Sequence, residues 1–192
     1  MNSEGLPPVF TLAAAEARGF RKDQVYALLS QGDIERVGHG VYLRPEAIDP
    51  AFATIAAVTA ARPDATLCLT SALVHHGLSD AIALDNDIAV PRGVRRPAGF
   101  AHVAWHSFDR TTFTVGREHL RLAEHTTIAI YSSERTIVDC FRLMHREGDD
   151  VAYEALRRWL RERGNSPSTL MDVAAPFPKA EPRLRHALEV LL

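Results

Sequence analysis

Apolar and polar positions near the N-terminus follow the period of two short helices. Thr11 can cap a helix over residues 12–18, which are rich in alanine, and Gly19 ends it. Apolar residues within 22–31 fall at i, i+3 and i+4, so they share one helical face, and Gly32 follows as a stop. The pattern therefore predicts two helices separated by a tight turn.

A β-hairpin is predicted directly after these helices. Residues 34–43 contain two runs with β-branched residues on either side of a Gly-His-Gly turn, in which glycine supplies positive φ. Pro45 and Pro50 then bracket an exit segment, which predicts a domain boundary. We therefore expect a small module over residues 1–45 and a larger domain over 51–192.

The chain as a whole indicates an α+β fold. Two helices and a hairpin have the order of a winged helix-turn-helix, here shortened, and a larger mixed α/β domain with a helical C-terminus follows. In that domain we expect helices at 51–61 and 66–76, strands at 87–90, 102–108, 112–115 and 127–131, a loop at 91–100, and helices from Ser132 or Ser133 to 145, at 150–163, from Ser166 and at 182–192.

The helix that ends at residue 145 is expected to turn its charged residues away from the core. Arg135 and Asp139 stand at i and i+4, which predicts an ion pair that Arg142 extends. Arg146 falls on the same side. We interpret these charges as structural.

The composition limits the classes of protein to which this chain can belong. With 46% apolar and 24% charged residues the chain can form a core, and its net charge of −2 means that any contact with DNA has to be local. Cys68 and Cys140 lie in apolar stretches, so no disulfide framework is predicted. The longest apolar run, 51–61, is too short for a membrane span, and residues 1–8 lack the pattern of a signal peptide. We therefore expect a cytoplasmic protein without a membrane partner.

The sequence predicts no enzyme. Ser71 and His75 stand at i and i+4, but no oxyanion turn or orienting acid accompanies them, and Ser71 is expected to pack or to bond a helix carbonyl. Adjacent His75 and His76 would point about 100° apart on a helix. His102 and His106 would lie about 13 Å apart on a strand, too far for one ion. We therefore expect no metal, cofactor or small-molecule substrate.

Three blocks of sequence carry a resemblance to a known family. The blocks are LLSQGDIERV-GHGVY at 28–42, TSALVHHGL at 70–78 and YSSERTIVD at 131–139. Together, and in this order, they resemble the AbiEi antitoxins of type IV toxin-antitoxin systems. The resemblance implies a transcriptional autorepressor whose winged domain binds operator DNA. It also implies that the C-terminal part carries the antitoxin activity against a nucleotidyltransferase-like toxin.

The chain departs from the family's pattern in two places. The first helix of the winged domain is missing, because only ten residues precede Thr11 and they include Pro7 and Pro8. Either the true start lies upstream, another surface covers the gap, or DNA binding has decayed. Residues 11–45 contain five basic and four acidic side chains, a local balance of +1, which predicts weak binding to DNA.

The residues predicted to contact DNA fall in three groups. If the helix at 22–31 lies in a major groove, its inward apolar face leaves a second face for DNA, and the wing can reach phosphates. A basic loop further on can meet nucleic acid or an acidic partner, or is simply solvated. The groups are Arg21, Lys22, Gln24, Tyr26 and Ser30 on the helix, Arg36, His39 and Arg44 on the wing, and Arg92, Arg95 and Arg96 in the loop.

A second hypothesis comes from a different class of protein. The chain is then a protein-interaction module that neutralises a toxin and carries a vestigial winged domain that does not bind DNA. This hypothesis predicts that residues 51–192 alone rescue growth from the toxin, whereas a DNA-binding regulator shifts its own promoter.

Overall fold

The N-terminal part of the protein combines a three-stranded sheet with two helices. The computed structural model describes residues 3–192, and this part consists of β1 (Val9–Thr11), α1 (Leu12–Glu16), α2 (Lys22–Gln31), β2 (Glu35–Gly38) and β3 (Val41–Leu43). The strands are antiparallel in the order β1-β3-β2, so the first strand pairs with the last.

Local signals set the ends of these helices. The Thr11 hydroxyl accepts a hydrogen bond from the Ala14 N–H at 3.2 Å and caps α1. Gly32 ends α2 in the left-handed region, with a φ of +79°. The predictions of two short helices and a hairpin are therefore confirmed.

Other elements cover the part of the small module that a first helix would otherwise cover. On one face of the small sheet, Leu6, Phe10 and Tyr42 are buried in a cluster with residues of α1 and α2. On the other face, Val9 and Leu43 pack against the helix that follows the hairpin. The segment before Thr11 thus contributes a strand. The helix Pro50–Ala61, which lies outside the predicted module, covers the second face of the small sheet.

The larger part is built around a second, five-stranded sheet. Its elements are a 3₁₀ turn at Pro45–Ala47, α3 (Pro50–Ala61), β4 (Thr66–Leu67), α4 (Leu69–His75), β5 (Asn86–Pro91), β6 (Val103–Phe108), β7 (Arg117–Ala123), β8 (Thr126–Tyr131), α5 (Ser133–Arg142), α6 (Met144–Glu147), α7 (Asp149–Arg161), α8 (Pro167–Ala174) and α9 (Glu181–Leu191).

Helices cover both faces of the five-stranded sheet. The strand order is β6-β5-β4-β8-β7, with β4 parallel to β8 and β5 parallel to β6. One face packs on α3 through Ile88 and Ile130, in the cluster that also holds Val9 and Leu43 of the small sheet. The other face packs on α4, α5 and the helices from α7 to α9. The fold is α+β, as predicted.

Two secondary-structure predictions in this part are wrong. Thr66 and Leu67 form a central strand instead of the start of a helix, because they pair with both β5 and β8. Residues 112–115 form turns instead of a strand, and the carbonyls of Thr112 and Val115 accept hydrogen bonds from Arg135 at 2.7 and 2.6 Å. The sequence analysis also missed β7, an edge strand with mainly polar residues.

The predicted outward position of Arg135 and Asp139 is wrong as well. Both side chains are fully buried, because α5 is surrounded by other helices and by the turns at 110–116. The ion pair itself is present: Arg135 Nε lies 3.0 Å from Asp139, and Arg142 adds a second contact at 2.8 Å. Arg146 is exposed, as predicted.

Ser71 makes a different hydrogen bond from the one expected. Its hydroxyl accepts from the Asp87 N–H at 2.8 Å, and its own N–H donates to the Asp87 carboxylate at 3.4 Å. The same carboxylate lies 2.8 Å from His106 Nε2. Ser71 therefore joins α4 to β5.

Cys68 and Cys140 are both buried and unbridged. Burial raises the pKa of each thiol above its ordinary value. Within residues 3–192 no cluster of three or more His, Cys, Asp or Glu side chains is arranged to hold a metal ion. None of the described helices has both the length and the apolar character needed to cross a membrane.

Candidate nucleic-acid interface

The second helix of the small module presents a continuous polar face. Val25 and Leu28 are buried beneath α2. Lys22, Tyr26 and Ser30 follow one another at intervals of four and are exposed on its opposite side. The helix therefore leaves open the face that the sequence assigns to DNA.

The start of α2 uses two of the predicted contact residues for capping. The Gln24 side chain accepts a hydrogen bond from the Arg21 N–H at 2.8 Å and is partly buried. The Arg21 guanidinium pairs with Asp23 at 3.0 Å, in a contact that is about 70% exposed on both sides. Exposed pairs of this kind contribute little to stability, so Arg21 can exchange Asp23 for another anion.

Aromatic side chains link α2 to the hairpin. The Lys22 ammonium lies 5.6 Å from the centre of the Tyr26 ring. Tyr26 lies close enough to Tyr42 to influence its hydroxyl, and Tyr42 stands opposite Arg36 in the β2–β3 ladder. Burial, and secondarily Tyr26, raise the pKa of Tyr42, so its hydroxyl stays protonated near neutral pH. We call Lys22, Tyr26, Tyr42 and Arg36 the Tyr26 strip.

The other predicted residues of the small module lie at different distances from this strip. Arg36 donates to the Gly38 carbonyl at 3.3 Å, which holds its side chain along the wing, and exposed His39 lies at the wing tip. The Ser30 hydroxyl donates to its own helix at Ala27. Arg44 is partly buried, donates to the Leu6 carbonyl at 2.9 Å and lines a depression beside the β7–β8 turn. Arg44 is therefore separate from the Tyr26 strip.

Tertiary packing places the basic loop beside the wing. A β carbon at Gly38 would lie 2.5 Å from the Phe100 ring, and one at Gly99 would lie 3.2 Å from the His39 nitrogen. The loop at 91–100 thus ends on the wing. Two groups of residues that are more than 50 positions apart in the chain become neighbours.

The three loop arginines differ in their partners. Arg92 pairs with Asp109 at 3.3 Å, and Arg96 donates to the Ser107 hydroxyl at 3.3 Å. Arg95 is exposed and has no hydrogen-bond or ion-pair partner among residues 3–192. It is therefore the loop side chain that is most available to an anionic partner.

Sequence reasoning gave two residues that support this surface no role in it. It placed Tyr42 in the hairpin and Phe100 at the end of the loop at 91–100. Gly38 ends β2, and a glycine in a strand can indicate that another group approaches the backbone closely. Its partner is not readable from the sequence, since Phe100 is distant along the chain.

No protein-family model matches this chain, and no curated protein matches it.

Proposed function

We propose that this protein is an AbiEi-like antitoxin and transcriptional autorepressor that acts in the cytoplasm. Its winged module binds operator DNA at the gene's own promoter, and its larger part counteracts a nucleotidyltransferase-like toxin. The observation that carries the DNA-binding half is the Tyr26 strip, whose Lys22, Tyr26 and Arg36 side chains are exposed on α2 and the wing while Tyr42 is buried beneath them.

The arrangement of the Tyr26 strip is compatible with binding of α2 in the major groove of DNA. Lys22, Tyr26 and Ser30 lie on the face of α2 that is free to approach base edges. Arg36 and His39 extend from the wing toward a phosphate backbone, and Arg95 continues the basic surface beyond it. Since Lys22 and Arg36 supply charge without a carboxylate partner among the described residues, we expect each of them to contribute to the salt dependence.

A gel shift against the gene's own upstream region tests this function. Binding should be specific and much weaker at about 200 mM salt than at about 50 mM, because phosphate contacts release counterions. Lys22→Ala with Arg36→Ala should lower the affinity and reduce the slope of log affinity against log salt by about 2.

The matched control removes the same charge elsewhere. Arg163→Ala with Arg185→Ala takes two exposed arginines from the C-terminal part and should leave the slope unchanged. An unchanged slope in the Lys22 and Arg36 double variant would reject the contact assignment. No shift by the wild-type protein at either salt concentration would reject operator binding.

One observation favours the second hypothesis, a protein-interaction module. Ile82 and Leu84 are 94% and 88% exposed, next to a groove lined by Phe52 and Val74. Large apolar side chains exposed together mark interaction surfaces. Under this hypothesis Ile82→Asp with Leu84→Asp abolishes growth rescue from the neighbouring toxin while the gel shift is unchanged. Full rescue by that variant would argue against it.

A further inference from the structure

A cleft opens at the end of the five-stranded sheet where β5 finishes. Its volume is about 490 Å³, large enough for a phosphate together with a sugar or a base. The lining residues come from the segment before β4, the end of β5 and the turns before β7, and they are Pro63, Asp64, Pro91, Arg110, Phe113, Thr114 and Arg117. None of them belongs to the surface predicted from the sequence.

Two arginines of this cleft are held in place by neutral acceptors. Arg110 Nε donates to the Arg92 carbonyl at 2.8 Å. Arg117 Nε donates to the Thr66 hydroxyl at 2.9 Å, and Arg117 Nη2 donates to the Pro63 carbonyl at 3.0 Å. Neither guanidinium forms an ion pair with a carboxylate anywhere in residues 3–192. Each is therefore positioned by the fold while its charge stays unbalanced and several N–H donors stay free.

The acidic groups nearby have their own partners. Asp64, the acid in the lining, lies 3.2 Å from Arg62, and Asp109 is paired with Arg92 at 3.3 Å and hydrogen-bonded by Thr111. Their negative charge is thus matched locally. The two cleft arginines remain as excess positive charge.

The remaining walls are apolar. Pro63, Pro91 and the buried Phe113 surround the arginines. Guanidinium groups recognise phosphate through paired N–H donors, and a wall with little water strengthens such charged hydrogen bonds. A carboxylate ligand would use the same donors, but the volume of about 490 Å³ leaves room for a larger, phosphorylated group.

We propose that the cleft between Arg110 and Arg117 binds the phosphate group of a nucleotide. The nucleotide is either free or part of a nucleic-acid strand that continues from the basic loop, since Arg110 is bonded to the backbone of Arg92 in that loop. The strand form rests on the proposed function, whereas the free form does not depend on it.

The test uses the full chain and three variants. Arg110→Gln removes one exposed guanidinium, and Thr114→Glu places a carboxylate in the cleft while both arginines stay. Arg163→Gln, at an exposed position beyond α7, is the control for lost charge. Binding of 5′-AMP, of adenosine and of the gene's own upstream DNA is measured by calorimetry at about 50 mM salt, with circular dichroism to verify folding.

The expected result is at least about a tenfold loss in both cleft variants and none in the control, because Arg110→Gln removes a charged hydrogen-bond donor and Thr114→Glu places a carboxylate that repels the phosphate. A loss for 5′-AMP, with no binding of adenosine, assigns the site to free nucleotides. A loss confined to DNA assigns it to backbone phosphate. If neither probe distinguishes the cleft variants from the control, or if the wild type binds neither, the proposal is overturned. If operator binding is lost only in the Lys22→Ala/Arg36→Ala variant, that result concerns the proposed function. Binding of 5′-AMP by the cleft variants then decides for or against the cleft.

Discussion

At the residue scale, a charge network is buried between α5 and the turns before β7. Arg135 Nε lies 3.0 Å from Asp139, and the Arg135 guanidinium carbon lies 4.2 Å and 4.5 Å from the centres of the Tyr131 and Phe177 rings. The same side chain satisfies two carbonyls of the turn at 112–115. Arg135 therefore supplies the hydrogen-bond donors that a neighbouring strand would otherwise give to the turn at 112–115.

Arg135→Ala should destabilise the fold strongly. The substitution leaves Asp139 buried with only Arg142, and it removes the donors for two carbonyls, so we expect a loss of about 3–5 kcal/mol in the free energy of unfolding. Urea denaturation measures it. Arg185→Ala, which breaks an exposed i, i+4 pair with Glu181, should cost less than about 1 kcal/mol. Similar losses in the two variants would show that the network is not a structural element.

Glu147, at the end of α6, introduces a pH dependence. Burial, and next the charge of Asp87, raise the pKa of Glu147 above its ordinary value of 4.5, while His106 opposes the shift. The folded protein thus binds more protons than the unfolded chain between the ordinary and the raised pKa. Its stability should fall as pH rises through that window and stay lower above it.

Glu147→Gln should remove this fall, because the amide is neutral at every pH. The variant's stability relative to wild type should therefore increase as pH rises from about 4 and level off above the raised pKa. Urea denaturation at several pH values between about 4 and 7 measures the difference. Glu16→Gln, an exposed substitution on α1, serves as the control. A difference that does not change with pH would contradict the prediction.

At the element scale, the loop between β5 and β6 is fastened to the wing. The Phe100 ring occupies the space that a side chain at residue 38 would fill. Val94 and Phe100 also pack against the cluster around α3. The basic loop is therefore held by the apolar contacts of Val94 and Phe100, and Arg95 lies between these two residues.

Gly38→Ala should push the loop off the wing. A methyl group 2.5 Å from the Phe100 ring forces a shift that costs about 1–3 kcal/mol. If wing and loop form one DNA-binding surface, operator affinity should fall in parallel. In a Phe100→Ala background the same substitution should cost much less, and this double-mutant cycle isolates the contact. Additive effects on stability would place the cost of Gly38→Ala elsewhere.

At the scale of the whole molecule, α3 joins the two sheets. Ile55, Ala56, Ala57 and Val58 are consecutive and all buried, so the helix is covered on every side at its middle. It contacts β1 and β3 of the small sheet as well as β4, β5 and β8 of the larger one. The two parts thus share one apolar cluster across the predicted boundary.

The shared cluster should make the protein unfold in one step. Ile55→Ala should cost about 2–5 kcal/mol and lower the urea midpoint equally for tryptophan fluorescence, which reports on Trp105 and Trp159, and for amide exchange in β3. Val190→Ala, at a position 67% exposed, should change stability by less than about 0.5 kcal/mol. Exchange in β3 at lower urea than the fluorescence change would mean that the small module opens independently.

Sequence by itself determined the features that depend on a few neighbouring residues. The cap at Thr11, the glycine at the end of α2 and the amphipathic face of α7 are local, so the corresponding helices were predicted nearly to the residue. The same holds for the exposed side of α2, which follows from helical periodicity. The candidate residues on α2, the wing and the basic loop were therefore accessible without a structure, whereas the contact between wing and loop was not.

Tertiary structure alone decided which polar residues are buried and which distant surfaces meet. Arg135 has the spacing of a solvated ion pair, and only the packing of α5 among other elements shows that it lies in the core. The wing and the basic loop meet through Gly38 and Phe100, and the cleft of Arg110 draws residues from three separate segments. Such contacts depend on long-range packing, which periodicity and capping signals do not encode, because those signals extend over about one or two helical turns.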